Sequence, residues 1–201
     1  MREPRIPRFV IGEGQWADEI RAFTALLHPE YWHGFRPLSE EEIAALEQSL
    51  QRSLPRDFRQ FLLTFGAGQF PGELGGGIWP PETVYENCHG LFTFLLGSFG
   101  WAPEEDQRRF YVSRGAFNPA PELFTDEVLE TELGSLFDLL MIGEDGCGCY
   151  HVIYVGQEPG DVAYCLATDA PSFEDCASSF SEGLRLIMLN HWQMKTGFNE
   201  S

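Results

Sequence analysis

The sequence predicts an α+β fold: a single domain with a mixed, largely antiparallel sheet, helices on its N-terminal side and a C-terminal helix packed on it. Three observations carry this. Apolar residues recur at helical spacing before residue 66 and again after residue 179, and between them lie short runs rich in β-branched and aromatic residues, separated by Gly, Pro and Asp. Strands do not alternate with helices as parallel βαβ units would require. With 43% apolar residues in a chain of 201, there is enough material to bury one core.

Residues 1–14 mix Pro, Gly and Arg without periodicity and read as an N-terminal arm whose order depends on docking, leaving 15–195 as the domain. From Gln15 to Leu27, the residues Trp16, Ile20, Phe23 and Leu27 fall on one helical face. A second helix is announced by Ser39 with Glu42 three residues on, a capping box, and buries Ile43, Leu46 and Leu50. Glu40 and Glu41 then sit near a helix N-terminus, where the dipole favours them. The third helix opens at Leu54-Pro55, carries Phe58, Phe61, Leu62 and Phe65 as a core face, and stops at Gly66.

The stretch GAGQFPGELGGGIWPP, residues 66–81, invites a phosphate-loop reading. A phosphate loop follows a strand and opens a helix, whereas this stretch follows a helix and has no G-K-[ST]. An irregular loop leading to a strand or turn near Ile78 and Trp79 is expected instead. LFTFLL (91–96), RFYVS (109–113), LFDLLMI (136–142), CYHVIYV (149–155) and VAYCLA (162–167) read as strands of one sheet. The last helix starts near Ser179, with Glu182 completing a second capping-box pattern, and presents Phe180, Leu184, Ile187, Met188 and Trp192 on one side.

Formal charge is −18, unevenly spread: residues 1–100 carry 13 acids against 8 bases, and residues 101–201 carry 18 against 5. Such a chain repels phosphate backbones and is attracted to basic surfaces, so nucleic acid is not expected as a direct ligand. Solubility alone is the competing reading of that charge. The five cysteines, Cys88, Cys147, Cys149, Cys165 and Cys176, form an odd set without C-x-x-C, and the N-terminus lacks the apolar run of a signal peptide. A reducing cytoplasm fits these features best. No window approaches the roughly 18 consecutive apolar residues of a membrane helix.

GEDGCGCYHVIYV, residues 143–155, places Cys147, Cys149 and His151 two apart, which on an extended strand gives all three one face. A structural zinc needs four ligands folded back around it, and a continuous strand splays such side chains apart. A hairpin entering a buried strand is therefore expected rather than a metal or reactive-thiol site, with Gly146 of an EDG turn supplying a positive φ. Ile153 and Val155 continue the face of Cys149 and His151. His28, His33, His89 and His191 have no metalloprotease spacing, and there is no G-x-S-x-G. No enzyme activity, cofactor or metal is expected.

LSEEEIAALEQSLQRSLPRDFRQFLLTFGAG resembles the signature of the SUKH superfamily, which includes yeast cell-wall-assembly regulators and many bacterial immunity proteins. The resemblance rests on Glu47, the pair Leu54 and Pro55, Phe58 and Phe61, and Gly66 and Gly68. Trp16 in the first helix, Gly143, Gly146 and Gly148 late in the chain, and Ser179-Phe180 extend it across residues 15–192. Where the family commonly has Asp or Asn after the second turn glycine, this chain has Cys149, and the segment 82–132 is longer than in a compact member. The resemblance implies helices on a sheet, no catalytic residues, and either a bacterial immunity protein that binds a cognate toxin or a regulatory scaffold that binds a host protein. An acidic surface including Glu104, Glu105, Asp106, Glu127, Glu130, Glu144 and Asp145 is the expected meeting place with a basic toxin domain.

Overall fold

Helical periodicity sets the first element. In a computed structural model that describes residues 6–87, 130–131, 134–135, 139–155, 164–167 and 173–197, helix α1 spans Trp16–Leu27 and buries Trp16, Ile20, Phe23 and Leu27 as their spacing requires. Thr24, buried on the same face, donates its hydroxyl to Ile20 O at 2.9 Å and accepts the indole N–H of Trp32 at 2.8 Å. The two-residue strand β1, Phe35–Arg36, then leads into α2, Glu40–Leu50. Ser39 Oγ accepts from Glu42 N and Glu42 Oε2 accepts from Ser39 N, so the expected capping box forms in both directions. Helix α3 spans Arg56–Thr64 with Pro55 at its cap, and Gly66, at φ 87°, ends it in a conformation that a side chain would strain.

The glutamate of the α2–α3 signature ties the two helices together. Glu47 Oε1 accepts the Leu54 N–H at 2.9 Å, and Glu47 Oε2 lies 3.8 Å from Arg59 Nε. Arg59 also pairs with Glu40 at the start of α2.

Strands β2 (Ala67–Gln69) and β3 (Gly77–Ile78) follow, then a short helix α4 (Pro81–Glu86), the strand pair β4 (Glu130–Thr131) and β5 (Gly134–Ser135), and β6 (Leu139–Glu144), β7 (Tyr150–Tyr154), β8 (Tyr164–Ala167) and β9 (Phe173–Ala177). The chain closes with α5, Phe180–Thr196. The main sheet has the order β1-β2-β3-β6-β7-β8-β9, and the sheet expected as largely antiparallel is antiparallel at every described pairing.

The stretch expected as an irregular loop after Gly66 therefore contains a hairpin, with Gly68 opposite Ile78 and Gln69 opposite Gly77. Its glycines serve backbone contact. A Cβ on Gly68 would lie 2.0 Å from Gly34 O, one on Gly77 would lie 2.3 Å from Gly68 O, and one on Gly143 would lie 2.1 Å from Gly77 O. These glycines make a row across the strands. The expected strands 91–96 and 109–113 lie outside the described residues, while parts of 136–142 and 162–167 appear in β6 and β8.

Helix α5 packs on β8 and β9 and against α1 and α3, with Phe180 edge-on to Phe58 and Phe61 and Leu184, Ile187 and Met188 buried. Ser179 Oγ accepts Glu182 N, but Glu182 Oε2 reaches back to Ser178 rather than to Ser179, so only half of the expected box forms. Asp57 connects two helix starts: its Oδ1 accepts Phe58 N at 2.9 Å in α3, and its Oδ2 accepts Ser181 N at 3.0 Å in α5. Phe9 and Ile11 are buried in the core, and Ile11 N donates to Ser181 Oγ at 3.1 Å. At the opposite end of α5, the Lys195 ammonium donates to Leu26 O at 2.9 Å and to Leu27 O, satisfying carbonyls of α1, whose own last turn has no basic residue.

Glu47→Ala leaves the Leu54 N–H without its acceptor and is expected to lower stability by about 1–3 kcal/mol, with Glu47→Gln losing less, as read by urea denaturation midpoints. Gly68→Ala forces strands apart and is expected to cost about 3 kcal/mol by the same measurement.

Candidate functional site

The turn between β6 and β7 carries the two described carboxylates that acidity and sequence position single out. Asp145 N donates to Cys149 O at 3.0 Å, while Asp145 Oδ1 accepts from Cys147 N at 2.7 Å and Cys149 N at 3.0 Å. This is an aspartate folding the chain around its own side chain. Gly146 has the expected positive φ, 80°, and Gly148 shares it at 100°. The turn rests on the glycine hairpin, since a Cβ on Gly146 would lie 2.7 Å from Gly76 N. Glu144 and Asp145 are both half-buried. Of the other expected acidic residues, Glu130 opens β4, in a separate two-stranded sheet, and Glu104, Glu105, Asp106 and Glu127 lie outside the described residues.

Cys147, Cys149 and His151 do not share a strand face. Cys147 is exposed within the turn, Cys149 is half-buried at its end, and only His151 belongs to β7, because the Asp145 side chain bends the chain before the strand starts. Among the described residues no group of three or more His, Cys, Asp or Glu could hold a metal ion. His151 is 4% exposed, and its Nδ1 lies 2.8 Å from Tyr164 Oη. Burial pushes its pKa down to about 4 against the opposing pull of Asp145 and of a backbone hydrogen bond to Glu144. His191 of α5 repeats the arrangement, with Nδ1 2.5 Å from Tyr31 Oη. Burial, followed by the nearby His151, lowers it to about 4. Burial also raises the Tyr31 hydroxyl well above its ordinary value. Both imidazoles are thus neutral, buried and hydrogen-bonded to tyrosines, an arrangement that organises a core rather than a reaction.

Among the described residues, two surface depressions lie elsewhere. One, of about 420 Å³, is lined by Arg21, Ala25, His28, Glu30, Trp32 and His33 among others. Two of its polar groups have partners within the fold: the Trp32 N–H goes to Thr24, and Arg21 pairs with Asp18 while lying 5.0 Å over Phe65. The other, of about 300 Å³, runs between α2 and α4 and is lined by Glu42, Ala45, Leu46, Ser49, Pro81, Glu82 and Tyr85. Arg36 grips Glu42 with both terminal nitrogens, at 2.8 and 3.3 Å, and with the Ser39 N–H it holds the Glu42 carboxyl down at about 2. This groove is absent from the sequence reading because α4 is. The available signal was Pro81-Glu82, a proline and an acid at a helix start.

The sequence model of the SMI1 / KNR4 family (SUKH-1) matches residues 37–186, which runs from just after β1 into α5 and includes the Leu54-Pro55 helix, the groove and the Asp145 turn. The chain belongs to this family. No curated protein sequence matches it. SUKH-1 members are generally non-enzymatic and bind protein partners, which agrees with a fold whose buried titratable groups are turned inward. No helix among the described residues is long and apolar enough to cross a membrane.

The buried histidines set a pH dependence for this SUKH-1 chain. Below their ordinary 6.5 the unfolded chain takes up protons that the folded chain refuses until about pH 4. Stability held above pH 6.5 is therefore lost as pH falls toward 4, by up to about 1.4 kcal/mol per pH unit for each histidine. Thermal unfolding between about pH 7 and pH 5 should show this fall, and His191→Gln, which keeps a hydrogen bond to Tyr31 without titrating, should flatten it by about half.

Proposed function

We propose that this SUKH-1 chain is a non-enzymatic bacterial immunity protein that works in the cytoplasm and neutralises a cognate toxin by stoichiometric binding through an acidic surface. The observation that carries the reading is the charge: −18 overall, with 18 acids against 5 bases after residue 100, on a member of a family of protein binders. A toxin that cuts or modifies nucleic acid needs a basic cleft to hold phosphates, and an acidic partner gains association rate and selectivity against such a cleft. The proposed contact surface includes Glu104, Glu105, Asp106, Glu127, Glu130 and Glu144. Asp145 belongs to the same surface, but one of its oxygens is committed to the turn, so it positions Glu144 as well as adding charge.

Capture of the tagged chain from its native host, washed in parallel at low and high salt, is expected to retain a secreted effector domain at one-to-one stoichiometry, more tightly at low salt. Reversal of Glu104, Glu105, Asp106 and Glu127 to Lys is expected to weaken that complex by at least about tenfold, chiefly through slower association. Unchanged affinity and salt dependence would remove the electrostatic part of the reading. Retention of a housekeeping regulator alone would replace immunity by a regulatory or scaffold role.

A further inference from the structure

The α2–α4 groove combines an apolar floor with a one-signed rim. Leu46 forms its base, and the short side chains Ala45 and Ser49, one helical turn apart, leave open the space that Pro81 and Tyr85 flank from α4. Tyr85 is 51% exposed, one of four large hydrophobic side chains so exposed among the described residues. An aromatic ring with a polar tip, standing beside a dry floor, is the kind of residue that dominates protein interfaces.

The charge around this floor is negative. Glu42 of α2 and Glu82 of α4 line it, with Glu86 one turn further along α4, while Glu40 and Glu47 of α2 are engaged by Arg59 of α3. Arg36 enters from β1, but its guanidinium is committed to Glu42 through two hydrogen bonds and feels Glu82 only as a more distant charge. Exposed Glu82 and Glu86, one turn apart on α4, therefore remain to attract cations from outside.

Resting on the protein-binding reading above, we propose that the α2–α4 groove is a docking site for a partner protein segment that lays an apolar side chain on Ala45, Leu46 and Tyr85 and points flanking Lys or Arg at Glu82 and Glu86. The site is separate from the acidic turn at Glu144 and Asp145. It recognises a short basic-apolar-basic pattern, so one binding surface combines long-range attraction with a local pocket.

The test titrates the isotope-labelled full chain with a capped basic hexapeptide, KRLWRK, and its acidic counterpart, EELWEE, followed by NMR. The expected result is saturable amide shifts centred on 44–49 and 82–86, with the basic peptide bound at least about tenfold more tightly. Tyr85→Ala and Glu82→Lys, both at exposed positions and checked for unchanged thermal unfolding, should each weaken it by about tenfold. Shifts elsewhere, no saturable shifts, equal affinity for the two peptides, or indifference to both substitutions would overturn the site. A protein complex that survives both substitutions would overturn the groove while leaving the protein-binding reading intact. Absence of any protein partner, with peptide binding at the groove retained, would count against that broader reading instead.

Discussion

Close backbone contact at a row of glycines is the constraint on which the first half of the sheet depends. Strands of two or three residues have too few ladder hydrogen bonds to hold a register alone. At Gly34, Gly68, Gly77 and Gly143 the neighbouring chains approach so nearly that any Cβ would fall within 2.0 to 2.6 Å of a carbonyl oxygen across the gap. At Gly34, Gly68 and Gly143 one residue of slip would bring a side chain into that gap, so the register is enforced sterically. Trp79 then continues the pairing onto Ile142, and α4 begins directly afterwards, which sets the distance between α4 and α2. Gly76 and Gly146 repeat the contact where β3 and β6 meet the turn, and fix the turn that carries Glu144 and Asp145. The α2–α4 groove and the Glu144–Asp145 turn are therefore consequences of the same seam.

Among the described residues the buried polar side chains are paired rather than removed, except for the Arg185 Nε, which has no hydrogen-bond partner. Tyr31 with His191, and Tyr164 with His151, place two hydroxyl–imidazole contacts beneath the sheet, and the low pKa of each imidazole keeps this interior uncharged while the surface carries the chain's negative excess. Asp57 is half-buried, and it is met by the N–H groups at two helix starts. Separation of a neutral interior from an acidic exterior lets surface charge be selected for binding without unsettling the core.

Helices with strong local signals were readable in the sequence. Ser39 with Glu42, the Leu54-Pro55 entry and the apolar face from Phe180 to Met188 each impose their own boundaries, and they stand where local physics puts them. The Asp145 turn was readable for the same reason, as an aspartate followed by glycine bends a chain locally. Strands β1 and β2 were not, because two or three residues show no period and exist only through contact with chain far away in sequence. The spacing of Cys147, Cys149 and His151 gives no shared face, as the expected hairpin requires: equal spacing implies one face only if the backbone is extended throughout, and the Asp145 carboxylate ends that condition at Cys149. The groove needed two helices, one of them six residues long, to be placed side by side, which no local pattern encodes.

Lys195 closes the C-terminal end of α1 from a position 168 residues further along the chain. During synthesis the first helix therefore emerges long before the residue that satisfies its last carbonyls, and Trp16, Phe23 and Leu27 wait with it for the surface that α5 supplies. Such long sequence separation slows folding and leaves an apolar helix face uncovered on the ribosome. Completion of the fold is thus a late event that waits for α5.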